Sequence, residues 1–216
     1  MRIEVVVPDK LSQITLEQYQ RFLKIQNEND DPRFLQVKMI EIFCDVNPQE
    51  ILHMKLSDTN AICEMLNDLF EQKPALVRKT KIGEKEYGFV PNLEDISLGE
   101  YIDLDTYIGD WENMHLTMNV LYRPLKGKYG ERYSIEDYKG GDGNHMKDIT
   151  MDCVISSLVF FYNLGIDLSE TILSYLRESQ ESNLVQFLSS HESGVGINQF
   201  THSLKATLKE LKISLN

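Results

Sequence analysis

The chain has 216 residues, of which 42% are hydrophobic and 26% charged, and a formal net charge of −12. A chain of this length buries roughly 70% of the surface its unfolded form exposes, so it folds without staples and is not of the disordered class. The acidity argues against a general nucleic-acid binder, which needs clustered Lys and Arg to displace counterions, but leaves direct contact with nucleic acid open; beyond that it says little more than a soluble chain compatible with a basic partner.

From the N-terminus, "RIEVVVP" (2–8) is rich in β-branched residues and predicts a strand ended by Pro8. The apolar run is too short for a signal peptide. The phrase "QITLEQY" (13–19) then encodes a helix start. Thr15 is placed to cap, Gln18 to complete a capping box, and Ile14 and Tyr19 to form a hydrophobic staple. After a polar break, Asp31 and Pro32 open a second helix over 31–43. Asn47-Pro48 opens a short helix. Ser57 is read as the cap of another helix running to about Gln72, with Ile62, Leu66 and Leu69 or Phe70 on one face.

"ALVRKTKIGEKEYGFVP" (75–91) predicts a hairpin turning at Gly83-Glu84. Next comes a near-copy of the first phrase, "DISLGEY" (95–101), with Ser97 as cap, Glu100 completing the box and Ile96 pairing with Tyr101. A second aspartate-opened helix follows from Asp110. Strand, capped helix, loop and aspartate-capped helix thus occur twice. Two readings stand: chance recurrence of a common cap, or an internal duplication that makes two equivalent packing units.

The glycine-rich stretch after Pro124, through Asp148, is read as an exposed loop in which "RYSIEDY" (132–138) forms a short strand or turn. Thr150 caps the most apolar helix, expected to end near Gly165. Its longest apolar run, Val154 to Ile166, falls short of the roughly 20 residues that cross a bilayer. Three adjacent aromatics (Phe160, Phe161, Tyr162) cover most of a helix's circumference, so that helix is central or one ring meets a partner; the central position is favoured. Amphipathic helices are expected over 168–180 and 182–191, and a closing one over 200–216. In the last, Phe200, Leu204, Leu208, Leu211 and Leu215 share a stripe beside Lys205, Lys209 and Lys212. That segment either docks on its own core or grips a neighbouring subunit.

The predicted class is α+β, predominantly helical with one or two small antiparallel hairpins or sheets. The expected organisation is one unit over 1–216. Within it lie a strand–helix part (1–75), a hairpin plus second capped-helix part (76–140) and a helical part (141–216).

Chemistry is scarce. Cys44, Cys63 and Cys153 form no CxxC pair and read as reduced, buried thiols. His53, His115, His145, His191 and His202 show no metal-ligand spacing and read as surface or packed histidines. "GDGNHMKD" (141–148) lacks the glycine and glutamate of a calcium loop, and "GVGINQ" (194–199) lacks the strand and third glycine of a dinucleotide fingerprint. No catalytic residue, cofactor or metal site is therefore assigned, although a site assembled from distant residues stays open as an enzyme reading. The candidate interaction residues are Trp111, Tyr122, Phe200, Leu204, Leu208 and Leu211.

The phrases "VPDKLSQITLEQYQRFLKI", "FVPNLEDISLGEYIDLDTYIGDWENMHLTMNVLYRP", "YSIEDYKG" and the terminal "ISLN" resemble a family of small proteins of tailed bacteriophages, including crAss-like phages. The resemblance implies a role in virion morphogenesis. The leading expectation is a non-enzymatic component, in several copies, near the portal, neck or tail, with other virion proteins and its own copies as partners. The alternatives are a tail-assembly chaperone absent from the mature particle and an internal cargo protein delivered with the genome. The implied location is the virion, and the host cytoplasm during assembly, with no membrane role.

Overall fold

A computed structural model describes residues 4–129 and 132–178. Residues 4–9 run without secondary structure, so the predicted N-terminal strand does not form among them. Val5 and Val7 pack against the core while Val6 is 79% exposed. The alternation of a strand is present, but no neighbouring edge completes a ladder.

After a 3-10 turn (Leu11–Gln13), α1 (Leu16–Glu28) starts as the sequence predicts. The Gln18 N–H donates to Thr15 Oγ1 at 3.3 Å, and the Thr15 N–H donates to Gln18 Oε1 at 2.9 Å. Helix α2 (Pro32–Cys44) is capped by Asp31, which accepts from the Arg33 N–H. Helix α3 (Pro48–Ile51) is capped by Asn47, which accepts from the Gln49 N–H. Helix α4 (Leu56–Phe70) begins ahead of Ser57, with Lys55 at the cap position. The Ser57 hydroxyl instead donates to Asp58, so the predicted serine cap is corrected. Ile62, Leu66, Leu69 and Phe70 form the buried face of α4, as their spacing requires.

Strands β1 (Lys79–Ile82) and β2 (Lys85–Phe89) form the predicted hairpin, with Ile82 opposite Lys85. Gly83 takes φ +58° at the first turn position, where a two-residue turn of type II′ needs a residue without a Cβ. A second 3-10 turn (Leu93–Asp95) precedes α5 (Leu98–Tyr107), so the local pattern ahead of α1 recurs. Asp110 forms a turn that accepts from the Glu112 N–H, and α6 (Met114–Leu121) starts beyond it, later than expected.

The predicted loop after Pro124 is strand in part: β3 (Tyr122–Tyr129) and β4 (Arg132–Ile135), the latter within the short strand or turn expected at 132–138, complete a four-stranded antiparallel sheet in the order β1-β2-β3-β4, and 136–143 run without secondary structure. The turn-forming residues sit where a ladder tolerates them. Pro124 lies at the last pair with β2, and Gly127 lies at an irregularity in the pairing with β4. A 3-10 helix (Asn144–Asp148) leads into α7 (Met151–Glu178), which continues through Gly165 rather than ending there. Thr150 precedes α7, and its hydroxyl donates to Asp152 rather than accepting from the backbone.

The first half of α7 is the centre of the molecule. Cys153 to Leu158 are all buried, and Phe89 meets Phe160 edge-on at 5.6 Å. This matches the central-helix reading of the aromatic run. Two backbone bonds tie the starts of α1 and α7. The Leu16 N–H donates to Ile149 O and the Met151 N–H to Ile14 O, both at 2.8 Å. The helices expected over 182–191 and 200–216, and the turn at 194–199, lie outside the described residues.

Candidate docking face

Helix α5 turns its sides the wrong way for an ordinary surface helix. Its buried residues are Glu100 and Leu104, whereas Leu98, Tyr101 and Ile102 are 74%, 44% and 51% exposed. At about 100° per residue, Leu98 and Ile102 stand almost opposite the Glu100–Leu104 side. The matching residues of the first phrase, Leu16 and Tyr19, are 0% and 6% exposed. Tyr19 there packs between Phe70 and Trp111, with ring centroids 5.2 and 5.0 Å away. The same words therefore make a core face in α1 and an uncovered apolar stripe in α5.

The cause is a polar anchor. Glu100 Oε2 accepts from the Ser97 N–H at 2.6 Å, closing the capping box, and Oε1 lies 2.7 Å from Arg123 Nη1 on β3. A carboxylate taken out of water needs both a cation and a donor; the donor is the helix's own N-cap, and the cation, Arg123, is supplied by β3. A second tie runs from the Tyr138 hydroxyl, which donates to Asp103 Oδ2 at 2.7 Å. Burial, then the bond to Asp103, raises the Tyr138 hydroxyl above its ordinary range, so it stays a donor. Two polar contacts thus fix which way α5 is rotated, and the apolar stripe is what remains outside.

The stretch of sequence that contains the stripe is acidic. From Glu86 to Tyr122 the sequence holds no Lys or Arg, and it holds eight acidic residues. Asp95 precedes the stripe and Asp105 follows it in line with Leu98, and both are exposed. An apolar strip bordered by carboxylates suits an apolar element with a cationic border.

The predicted interaction residues are placed differently. Trp111 is 8% exposed with its ring against Tyr19, and Tyr122 is fully buried, its hydroxyl donating to Val77 O at 2.6 Å. Burial pushes the Tyr122 hydroxyl far above the ordinary tyrosine range. Both are corrected from contact to core: each ring closes the joint between elements of its own chain. Phe200, Leu204, Leu208 and Leu211 lie outside the described residues. Leu98, Tyr101 and Ile102 were missed because their counterparts in α1 look like core. The usable signal was Ile102 at the position where the first phrase has Gln20, which widens the apolar circumference beyond one buried side.

The described residues also line several clefts, one of them between Ser97, Glu100, Arg123 and Tyr138 at the base of α5. A cleft of about 600 Å³ lies beside the Gly83 turn and mixes Lys85, Tyr87, Glu136, Tyr138, His145 and Asp148. A groove of about 470 Å³ between α1, α2 and α4 is mainly apolar, with Phe22, Leu35, Met39 and Cys63 in its wall. Among the described residues, no group of three or more His, Cys, Asp or Glu is arranged to hold a metal. No helix among them is long and apolar enough to cross a membrane. No family model, curated protein or solved structure matches this chain.

Proposed function

We propose that this chain is a non-enzymatic bacteriophage virion protein that works through protein–protein contacts near the portal, neck or tail, with α5 as its docking face. The biological setting rests on the resemblance of its phrases to those of tailed-phage proteins. The observation that supports a contact role is the inversion of α5: a glutamate held inside while Leu98, Tyr101 and Ile102 are left in water. Exposing such a stripe costs free energy in the isolated chain, on the order of 25 cal/mol per Å2 of apolar surface, which a partner recovers on binding.

Mass spectrometry of purified virions tests the assignment, using phage that carry either the unaltered chain or the variant Leu98→Asp/Ile102→Asp. The expected result is the unaltered chain in particles that contain portal and tail proteins, and loss of the variant from them. A chain missing from mature particles but bound to tail proteins during assembly would instead identify an assembly chaperone. A variant packaged as well as the unaltered chain would remove α5 from the reading.

A further inference from the structure

We infer that the four-stranded sheet binds the phosphate backbone of a duplex nucleic acid, through a basic patch centred on β1. The site lies outside the α5 stripe and does not depend on the role given to α5.

Charge is unevenly spread along the chain. As a whole it holds 34 acidic residues against 22 Lys and Arg. The four strands reverse that balance, with seven Lys or Arg and a single acidic residue, Glu86. One of the seven, Arg123, is taken up by Glu100. Lys79, Lys81, Lys126 and Arg132 are exposed, as is Arg78 just ahead of β1. Among the described residues, none of these five has a carboxylate within ion-pair distance. The overall acidity therefore excludes a general binder but not a local one.

Register and packing set the centre of the patch. Phe89 lies on the core side of the sheet, against Tyr122 and Phe160. Its neighbour Gly88 thus looks outward, and so do Lys79, paired with Gly88, and Lys81, two residues further on. Tyr133 fills the space over Gly88, its hydroxyl 2.7 Å from Phe89 O and 3.2 Å from Arg78 O. Lys79 Nζ stands 5.2 Å from the centroid of that ring. The tyrosine is a prop: it ties β4 to β1 and β2 and holds the Lys79 ammonium over the sheet. Lys79 and Lys81 rise about 6.8 Å along β1, which is two of the 3.4 Å steps between phosphates on one strand of a duplex.

The partner follows from what the sheet lacks. The large hydrophobic side chains left exposed lie on helices or in the chain beside them, and none lies on the described parts of the strands. Protein partners are held by an apolar core inside a polar rim, whereas nucleic-acid interfaces are more polar and far more basic. The sheet matches the second kind. Because the Tyr133 ring is already engaged by Gly88 and Lys79, it offers no free platform for unpaired bases, which selects a duplex over a single strand. Contacts of this kind reach phosphates and read no base, so binding is independent of sequence. The acidic remainder of the chain opposes it, so affinity is low and falls steeply with salt.

Fluorescence anisotropy of a labelled DNA duplex of about 20 base pairs, titrated with the full chain at salt between about 50 and 200 mM, provides the test. Binding is expected at protein concentrations on the order of 10 to 100 μM at the lowest salt. Arg78→Gln/Lys79→Gln/Lys81→Gln should weaken it at least tenfold and flatten the log–log salt slope by about three. Lys81→Gln alone, a fully exposed position, should flatten the slope by about one and guards against a triple variant that misfolds. Lys24→Gln/Arg33→Gln/Lys55→Gln removes the same charge from exposed positions on helices or beside them and should change affinity less than twofold. No binding at the lowest salt, or an equal loss in both triple variants, would overturn the assignment. Tighter binding to a single strand of the same length would overturn the duplex reading. Competition by polyglutamate at lower concentration than by unlabelled duplex would give the sheet to an acidic protein partner instead.

Discussion

Arg123 Nη1 lies 2.7 Å from Glu100 Oε1, joining the start of β3 to the first turn of α5, with side chains only 13% and 6% exposed. This pair does more than neutralise charge. Because Glu100 is also the third residue of the capping box, the ion pair and the helix start are one construction. It sets the rotation of α5 and thereby decides which residues face solvent.

Removing one member of the pair leaves the other buried and unmatched. Arg123→Met is expected to destabilise the fold by about 3–5 kcal/mol, the range for breaking a buried pair. The double variant Glu100→Leu/Arg123→Met should be less destabilised than Arg123→Met alone, since a buried pair replaced by apolar residues is often nearly neutral. Urea unfolding of four chains, the parent, Arg123→Met, Glu100→Leu and the double variant, decides the matter; an additive double variant would mean that the two residues do not act as a unit.

The repeated phrase allows a matched comparison. Leu16→Ala should cost about 2–5 kcal/mol, because Leu16 is fully buried, whereas Leu98→Ala should stay within about 0.5 kcal/mol in the isolated chain. Thermal unfolding of both variants reads the difference. A large loss at Leu98 would contradict the exposure of its side chain.

Caps contribute locally and should do so in both copies. Thr15→Ala and Ser97→Ala are each expected to cost about 1 kcal/mol through the lost bond to the N–H of the third helical residue. Thr15→Ser and Ser97→Thr should restore most of it, as read by chemical denaturation.

Gly88 lies under the ring of Tyr133, and a Cβ there would stand 2.5 Å from Tyr133 Cε2 and 2.6 Å from Leu125 Cδ2. Tyr133 cannot swing away freely, since its hydroxyl donates to Phe89 O at 2.7 Å. Gly88→Ala should therefore destabilise the sheet by about 1–3 kcal/mol, the usual cost of overpacking. Gly88→Ala combined with Tyr133→Ala should recover part of it in the same unfolding assay.

The thiols should separate by burial. Desolvation, helped by neighbouring negative charge, pushes Cys44 and Cys153 up to about 11, against an ordinary value of 9.0. The folded chain thus holds these protons more tightly than the unfolded chain. Their contribution to stability is complete below about pH 9 and fades as pH rises through about 11. With a thiol-reactive chromophore near pH 8, Cys63 is expected to react first, with Cys44 and Cys153 following only on unfolding. Equal rates at all three would contradict the burial of the other two.

Local instructions were legible in the chain. Both capping boxes, the Asp31 and Asn47 caps and the Gly83 turn depend on residues at most a few positions apart, so the phrase and its structure coincide. Less local features escaped. The valines of 4–8 carry a strand's pattern without an edge to pair with, and β3 keeps its ladder through Pro124 and Gly127 because β2 and β4 take different parts of it. Gly165 marks no helix end, since α7 continues to Glu178.

Helix α5 shows the same division most plainly. By itself the sequence determined that two helices would begin alike, since a cap, a box and a staple position are settled within one turn. Only the tertiary structure decided that Leu16 and Tyr19 would be core while Leu98 and Tyr101 would be surface. Burial depends on what arrives from elsewhere: Phe70 and Trp111 reach the first helix, and Arg123 draws the glutamate of the second inward. The hydrophobic effect rewards any cover equally and names no partner, so the pattern of a helix can say which face is apolar but not which face is covered.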